Sequence, residues 1–172
     1  MHALRTARLG LASVAPSDEP ALSRLLHLSD VRRYLCDDTL VSRSTVSGWI
    51  AESCDPASGT QYWRLETSEN DVAGLVGLRP PSIAMLALRA IGWRSRELVI
   101  ALHPSHWGKG LAAEAIAKVV EHGLSDGVTF AVLSAVDEPN ERSHRLMARC
   151  GFAECGRVAG PVFPLVVYER AL

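Results

Sequence analysis

The chain has no long apolar run free of charge, so no segment reaches the length of a membrane span. Its first twenty residues, MHALRTARLGLASVAPSDEP, contain no apolar core of the kind a secretory signal needs. An excess of either charge is also missing. A formal net charge of −1 argues against bulk attraction to nucleic acid or to an anionic membrane. The four cysteines, Cys36, Cys54, Cys150 and Cys155, form no C-x-x-C pair and have no histidine at zinc-finger spacing. No metal is therefore expected, and the thiols read as reduced, in a cytoplasmic protein. Internal repeats, low-complexity tracts and linkers are absent. What is left is one domain spanning residues 1–172. It is 48 % hydrophobic and 22 % charged, which suffices for a proper core.

Periodicity supplies the elements. RLGLASV alternates as a strand, and PSDEPALSRLLHL carries an apolar helical face at Leu22, Leu25 and Leu26. SDVRRYL adds a short helical turn, and SRSTVSGWIAES reads as a second amphipathic helix. TQYWRLET and VAGLVGLRP are strands divided by a polar turn. The apolar stretch 80–95, PPSIAMLALRAIGWRS, fits a strand or a short helix, with strand favoured. RELVIALHP is a strand stopped by proline. GKGLAAEAIAKVVEHGL is the strongest helix, with a stripe at Leu111, Ala115, Ile116, Val119, Val120 and Leu124. VTFAVLSAV is a buried strand, PNERSHRLMARC a helix, and GFAECGRV and VFPLVVYERAL the closing strands. This order predicts an α/β (α+β) domain with one central sheet.

The junction SHWGKGLA joins a strand to a helix through two glycines. The first amides of a helix have no partner within it, and the dipole adds about half a positive charge there. Gly108 and Gly110 let the backbone approach an anion, and Lys109 brings a mobile cation, so the turn is suited to a phosphate. A Walker-type loop is excluded: Gly110 and Pro104 stand where a Ser/Thr and a Gly are required. A dinucleotide fingerprint fits poorly, because the strand follows a meander beyond mid-chain. A plain turn without a ligand is the other reading.

Behind this loop come FAVLSAV, NERS and ARCGF, in that order. With them the chain resembles the GNAT superfamily of N-acetyltransferases, in its RimJ/RimL-like branch. WGKGLA is similar to that family's R/Q-x-x-G-x-G/A loop, with Gly110 and Ala112 in the small positions. The resemblance covers most of the chain but not 80–95. It implies a single acetyltransferase domain over 1–172, with a mixed, mostly antiparallel sheet of about seven strands, splayed at the centre and flanked by about four helices. It also implies acetyl-CoA as co-substrate. The pyrophosphate would rest on the amides of Trp107, Gly108, Lys109, Gly110, Leu111 and Ala112, and the amides of Ile100 and Leu102 would face the pantetheine arm and acetyl carbonyl. A backbone N–H aimed at the thioester oxygen stabilises the developing oxyanion.

By the same resemblance Asn140 would hydrogen-bond the pantetheine and Ser143 would protonate the departing thiolate. Met147 stands where many members carry a tyrosine for that task. The local alternative is that Asn140 caps its helix with Ser143 as partner. Arg142 and Arg145 are either solvated charges or contacts for the ribose 3′-phosphate. Glu97 is the candidate base, acting through water on an amine that must lose a proton before it attacks; an ordinary strand-end carboxylate is the alternative. His103, before Pro104, could serve as a base on spacing grounds, but it is expected to pack at its strand end. Asp37 and Asp38 either cap a turn or attract a cationic amine. Neither Cys36 nor Cys54 has a histidine placed to make it a nucleophile.

The expected function is direct acetyl transfer to a primary amine, of a protein N-terminus or a small molecule, in a ternary complex. A non-catalytic acyl-CoA-binding module is the competing class. No nucleic acid or membrane partner is expected, and the protein would be a monomer or a homodimer.

Overall fold

The structure is a computed structural model describing residues 3–67, 72–88, 94–125, 127 and 129–171. Its strands are β1 (Leu4–Arg5), β2 (Gly10–Ser13), β3 (Gln61–Glu66), β4 (Val72–Arg79), β5 (Ser95–Leu102), β6 (Ala131–Asp137), β7 (Ala153–Val158) and β8 (Leu165–Ala171). The α-helices among the described residues are α1 (Glu19–His27), α2 (Ser29–Leu35), α3 (Arg43–Cys54), α4 (Ile83–Leu86), α5 (Leu111–Leu124) and α6 (Glu141–Arg149).

The strands form one sheet in the order β1-β2-β3-β4-β5-β6-β8-β7. All neighbours are antiparallel except β5 and β6. That parallel pair is short: Ser95 faces Ala131, Arg96 faces Val132 and Glu97 faces Leu133. Beyond Glu97, β5 pairs only with β4, and beyond Leu133, β6 pairs only with β8. The sheet therefore opens into a V between residues 98–102 and 134–137, the central splay that the resemblance implied.

Apolar alternation covers both faces. On one, α5 and α6 bury Ile116, Val119 and Met147 against Val76, Leu98 and Val132. On the other, α1–α3 bury Leu22, Leu26, Val46 and Ile50 against Tyr62, Leu75 and Ala101. A smaller cluster on that second side joins Met85 to Leu133 and Val167.

Two elements differ from expectation. The favoured strand in 80–95 is instead the helix α4 over Ile83–Leu86, and residues 89–93 lie outside the described residues. Ser82 starts this helix by accepting the Met85 N–H at 3.3 Å, and the buried Met85 anchors it. Four residues are too few for a helical period to register, so an apolar run there mimics a strand. The other difference is β1, a two-residue edge strand without a readable pattern, which brings the sheet to eight strands.

Candidate active site

The loop after β5 is built largely from local hydrogen bonds. His103 ends the strand and its Nδ1 lies 2.8 Å from Ser105 Oγ, a capping role at the strand end. The indole N–H of Trp107 donates to the Leu102 carbonyl at 2.8 Å and folds the loop back on β5. Gly108 and Gly110 have φ of 74° and 77°, left-handed values that glycine adopts without steric cost. Gly110 caps α5 with no side chain, and the first helical bond is from the Glu114 N–H to the Gly110 carbonyl. The amides of Leu111, Ala112 and Ala113 precede that bond and have no acceptor in the helix. A Cβ on Gly108 would meet nothing within 4 Å, so the turn is open at that residue.

Arg8 tightens this turn from outside. Its guanidinium donates to the Lys109 carbonyl at 2.9 Å and pairs with Glu114 at 2.7 Å. Hydrogen bonds from Thr6 and Arg8 hold the Glu114 carboxyl below its ordinary range, although partial burial opposes them. The one acidic side chain in the first turn of α5 is thus neutralised, which preserves the positive field of the helix mouth.

Backbone alternation orients the strand edges. The Arg94 carbonyl accepts from the Phe130 N–H towards β6, while the His103 N–H donates to Ala73 beside β4. Even-numbered residues of β5 therefore direct their peptide groups towards β6, and the amides of Ile100 and Leu102 open into the V.

On the opposite arm, Asn140 caps α6 by accepting the Ser143 N–H at 3.2 Å. The local cap is therefore formed, and the Asn140 NH2 group and the Ser143 hydroxyl remain at the helix mouth. Met147 is buried in the core at 1 % exposure. Arg142 lies over the Trp107 ring, 4.2 Å from its centroid, and so bridges the loop and α6 across the gap. Arg145 pairs with Glu141 along the exposed helix face.

Glu97 lies at the closed end of the V, in the last parallel pair, and is buried. Both its oxygens accept from Arg79 at 2.9 Å, a bidentate fork set by the cross-strand pairing of Arg79 with Glu97. Arg79 also touches Tyr62, whose hydroxyl pKa is raised chiefly by burial. Arg8, Arg79 and Tyr62 belong to this neighbourhood and were not singled out from the sequence, because each acts through a partner remote along the chain. Asp37 and Asp38 have left-handed φ of 52° and 54°, and Asp38 pairs with Arg32 at 2.8 Å. An apolar hollow of about 390 Å³ beside Pro16 and α3 shares no residue with this site. No helix among the described residues is long and apolar enough to cross a membrane.

A splayed mixed sheet with an uncapped helix mouth at its opening is the fold of an acetyltransferase. The model of the acetyltransferase (GNAT) domain matches residues 8–153, and the chain belongs to that family. It is 28 % identical over 153 residues to the uncharacterized N-acetyltransferase YoaA of Bacillus subtilis (strain 168), covering 89 % of this chain and 84 % of that one. Its fold is similar to RimL, a ribosomal L7/L12 alpha-N-protein acetyltransferase solved with coenzyme A. The TM-score is 0.80 at 14 % identity, over 99 % of this chain and 98 % of RimL. It is also similar to spermidine N-acetyltransferase from Vibrio cholerae, solved with CoA and spermine, with a TM-score of 0.77, 18 % identity and 96 % of both chains covered.

Proposed function

We propose that this acetyltransferase carries the acetyl group of acetyl-CoA directly to a primary amine in a ternary complex, within a single domain over residues 1–172. The observation that carries this reading is the glycine-bent, uncapped mouth of α5 at the open end of the V. The amides from Trp107 to Ala112, with Lys109, hold the diphosphate. The amides of Ile100 and Leu102 line the pantetheine path and polarise the thioester carbonyl. Asn140 donates its NH2 group to the pantetheine arm. The similarity of WGKGLA to the RimJ/RimL-like loop supports a place in that branch.

Glu97 takes the ammonium proton through a water. Its oxygens are engaged by Arg79, but a carboxylate has about four lone-pair sites, and two remain after the fork. The freed amine nitrogen bonds to the acetyl carbon and loses its second proton to solvent as the carbon–sulfur bond breaks, and Ser143 donates its hydroxyl proton to the sulfur and recovers one from solvent. Thiols ionise near pH 8.5, so the leaving group needs little help.

Amine-dependent release of free thiol from acetyl-CoA, followed with peptides and small amines, tests this. Ser143→Ala is expected to lower kcat by less than about tenfold, and Glu97→Gln by more, in the range of general base catalysis. Saturable CoA binding without amine-dependent thiol release would instead favour the non-catalytic module.

A further inference from the structure

Arg8 lies in the turn between β1 and β2, 101 residues from the peptide that its side chain touches. The turn closes on itself: the Thr6 N–H donates to the Leu9 carbonyl and the Leu9 N–H to Thr6 Oγ1, both at 2.9 Å. Two contacts dock it on α5. Leu9 is buried in the same cluster as Leu111, and the Arg8 N–H donates to Glu114 at 2.8 Å. The guanidinium thus starts from a fixed backbone. Its Nε and Nη2 go to Glu114, and its Nη1 goes to the Lys109 carbonyl. Among the described residues, Arg8 is the one donor to that carbonyl.

The carbonyl bond fixes the next amide. In a trans peptide the C=O and the N–H point in opposite directions. The Lys109 carbonyl faces Arg8, so the Gly110 N–H faces away from it, and this N–H donates to no described residue. It is an open donor next in the chain to those of Leu111 and Ala112. The peptide is otherwise easy to turn over. Doing so changes only ψ of Lys109 and φ of Gly110, and glycine takes either sign of φ. Turned over, the peptide would present the Lys109 carbonyl oxygen in place of the N–H. A carbonyl oxygen is an acceptor and repels a phosphate where the amide would bind it.

We infer that Arg8 is a positioning residue for coenzyme A: by holding the Lys109 carbonyl on its own side, it keeps the Gly110 N–H turned to the diphosphate. The inference rests on the acetyl-CoA reading and adds to it a residue that lies outside the loop motif. This role is separate from the neutralisation of Glu114, which a cation could perform without touching the loop.

The test is calorimetric titration with CoA and with pantetheine, which lacks the diphosphate. The Arg8 side chain is 52 % exposed and Leu9 still anchors the turn, so the variants are expected to fold. Arg8→Ala should raise the Kd for CoA by about twenty- to fiftyfold. About two- to fivefold of this is the bared Glu114 charge at the helix mouth. The remaining factor of about ten is the smaller fraction of molecules whose peptide is turned the right way. The double variant Arg8→Ala, Glu114→Gln removes the charge, and glutamine still accepts the N–H of residue 8. It should regain only the first share and stay about tenfold weaker than wild type. Pantetheine should bind all three proteins alike. In the amide spectrum without ligand, the double variant should move Gly110 and leave Ile100 and Leu102 in place. Full recovery of CoA affinity in the double variant would reduce Arg8 to a counter-charge and overturn the inference. Wild-type affinity in Arg8→Ala overturns it too, as does an equal loss for CoA and pantetheine, which would mark a merely structural role. These three results leave the acetyl-CoA reading standing. A wild type that does not bind CoA refutes that reading, and the inference falls with it.

Discussion

On the α5 side of the V the proposed site rests chiefly on backbone amides; on the α1–α4 side it rests on the Glu97 carboxylate. The first side is positive through a helix dipole and open N–H groups, with Glu114 neutralised by Arg8. The second carries Glu97 on its Arg79 fork. The difference also separates two kinds of fragility: backbone sites fail through conformation, side-chain sites through loss of charge.

The largest expected effect breaks the amide side alone. Gly110→Val forces a β-branched residue into the left-handed region, at about 1–2 kcal/mol, and places a side chain beside Arg8. Calorimetric titration should show CoA affinity lowered on the order of a hundredfold, from strain and the blocked amides together. A variant that binds CoA like wild type would remove the distinction between the two sides.

A smaller effect sharpens the carboxylate side. Arg79→Ala leaves the buried Glu97 without its fork. The loss of stability is expected at about 1–2 kcal/mol, because the Arg79 side chain is itself 43 % exposed. Denaturant unfolding measures it, and CoA affinity should stay within a few-fold of wild type.

The smallest effect lies away from the proposed site. Arg43 and Ser23 hold the Glu19 carboxyl at about 2, down from its ordinary 4.5. Because the folded value is depressed, this contribution to stability is complete above pH 4.5 and is lost as pH falls towards 2. Arg43→Ala should flatten the acid limb of a melting-temperature profile between those values and leave the profile above pH 5 nearly parallel to wild type.

The contrast also explains what could be read in the sequence. WGKGLA is contiguous, and its glycines and following helix are local features, so the bent turn and the start of α5 were legible. Long periodic stretches were legible too, above all the stripe of α5 and the alternation of β3 and β4. The helix α4 was not, since a Ser82 cap and one anchor, Met85, leave no period. The Arg79–Glu97 fork spans eighteen residues and depends on a hairpin register. Asp137 looks like any polar strand end until the topology shows it buried. Side-chain sites assembled from distant segments become visible only when the sheet is closed.

The most direct test of the central claim is a backbone amide NMR titration of the protein with CoA and, separately, with pantetheine, which lacks the diphosphate. The account predicts that CoA produces its largest amide shifts from Gly108 to Ala113 and that pantetheine leaves those amides nearly unmoved while perturbing Ile100 and Leu102. Shifts from CoA that spare the mouth of α5, or equal shifts there from both ligands, would contradict it.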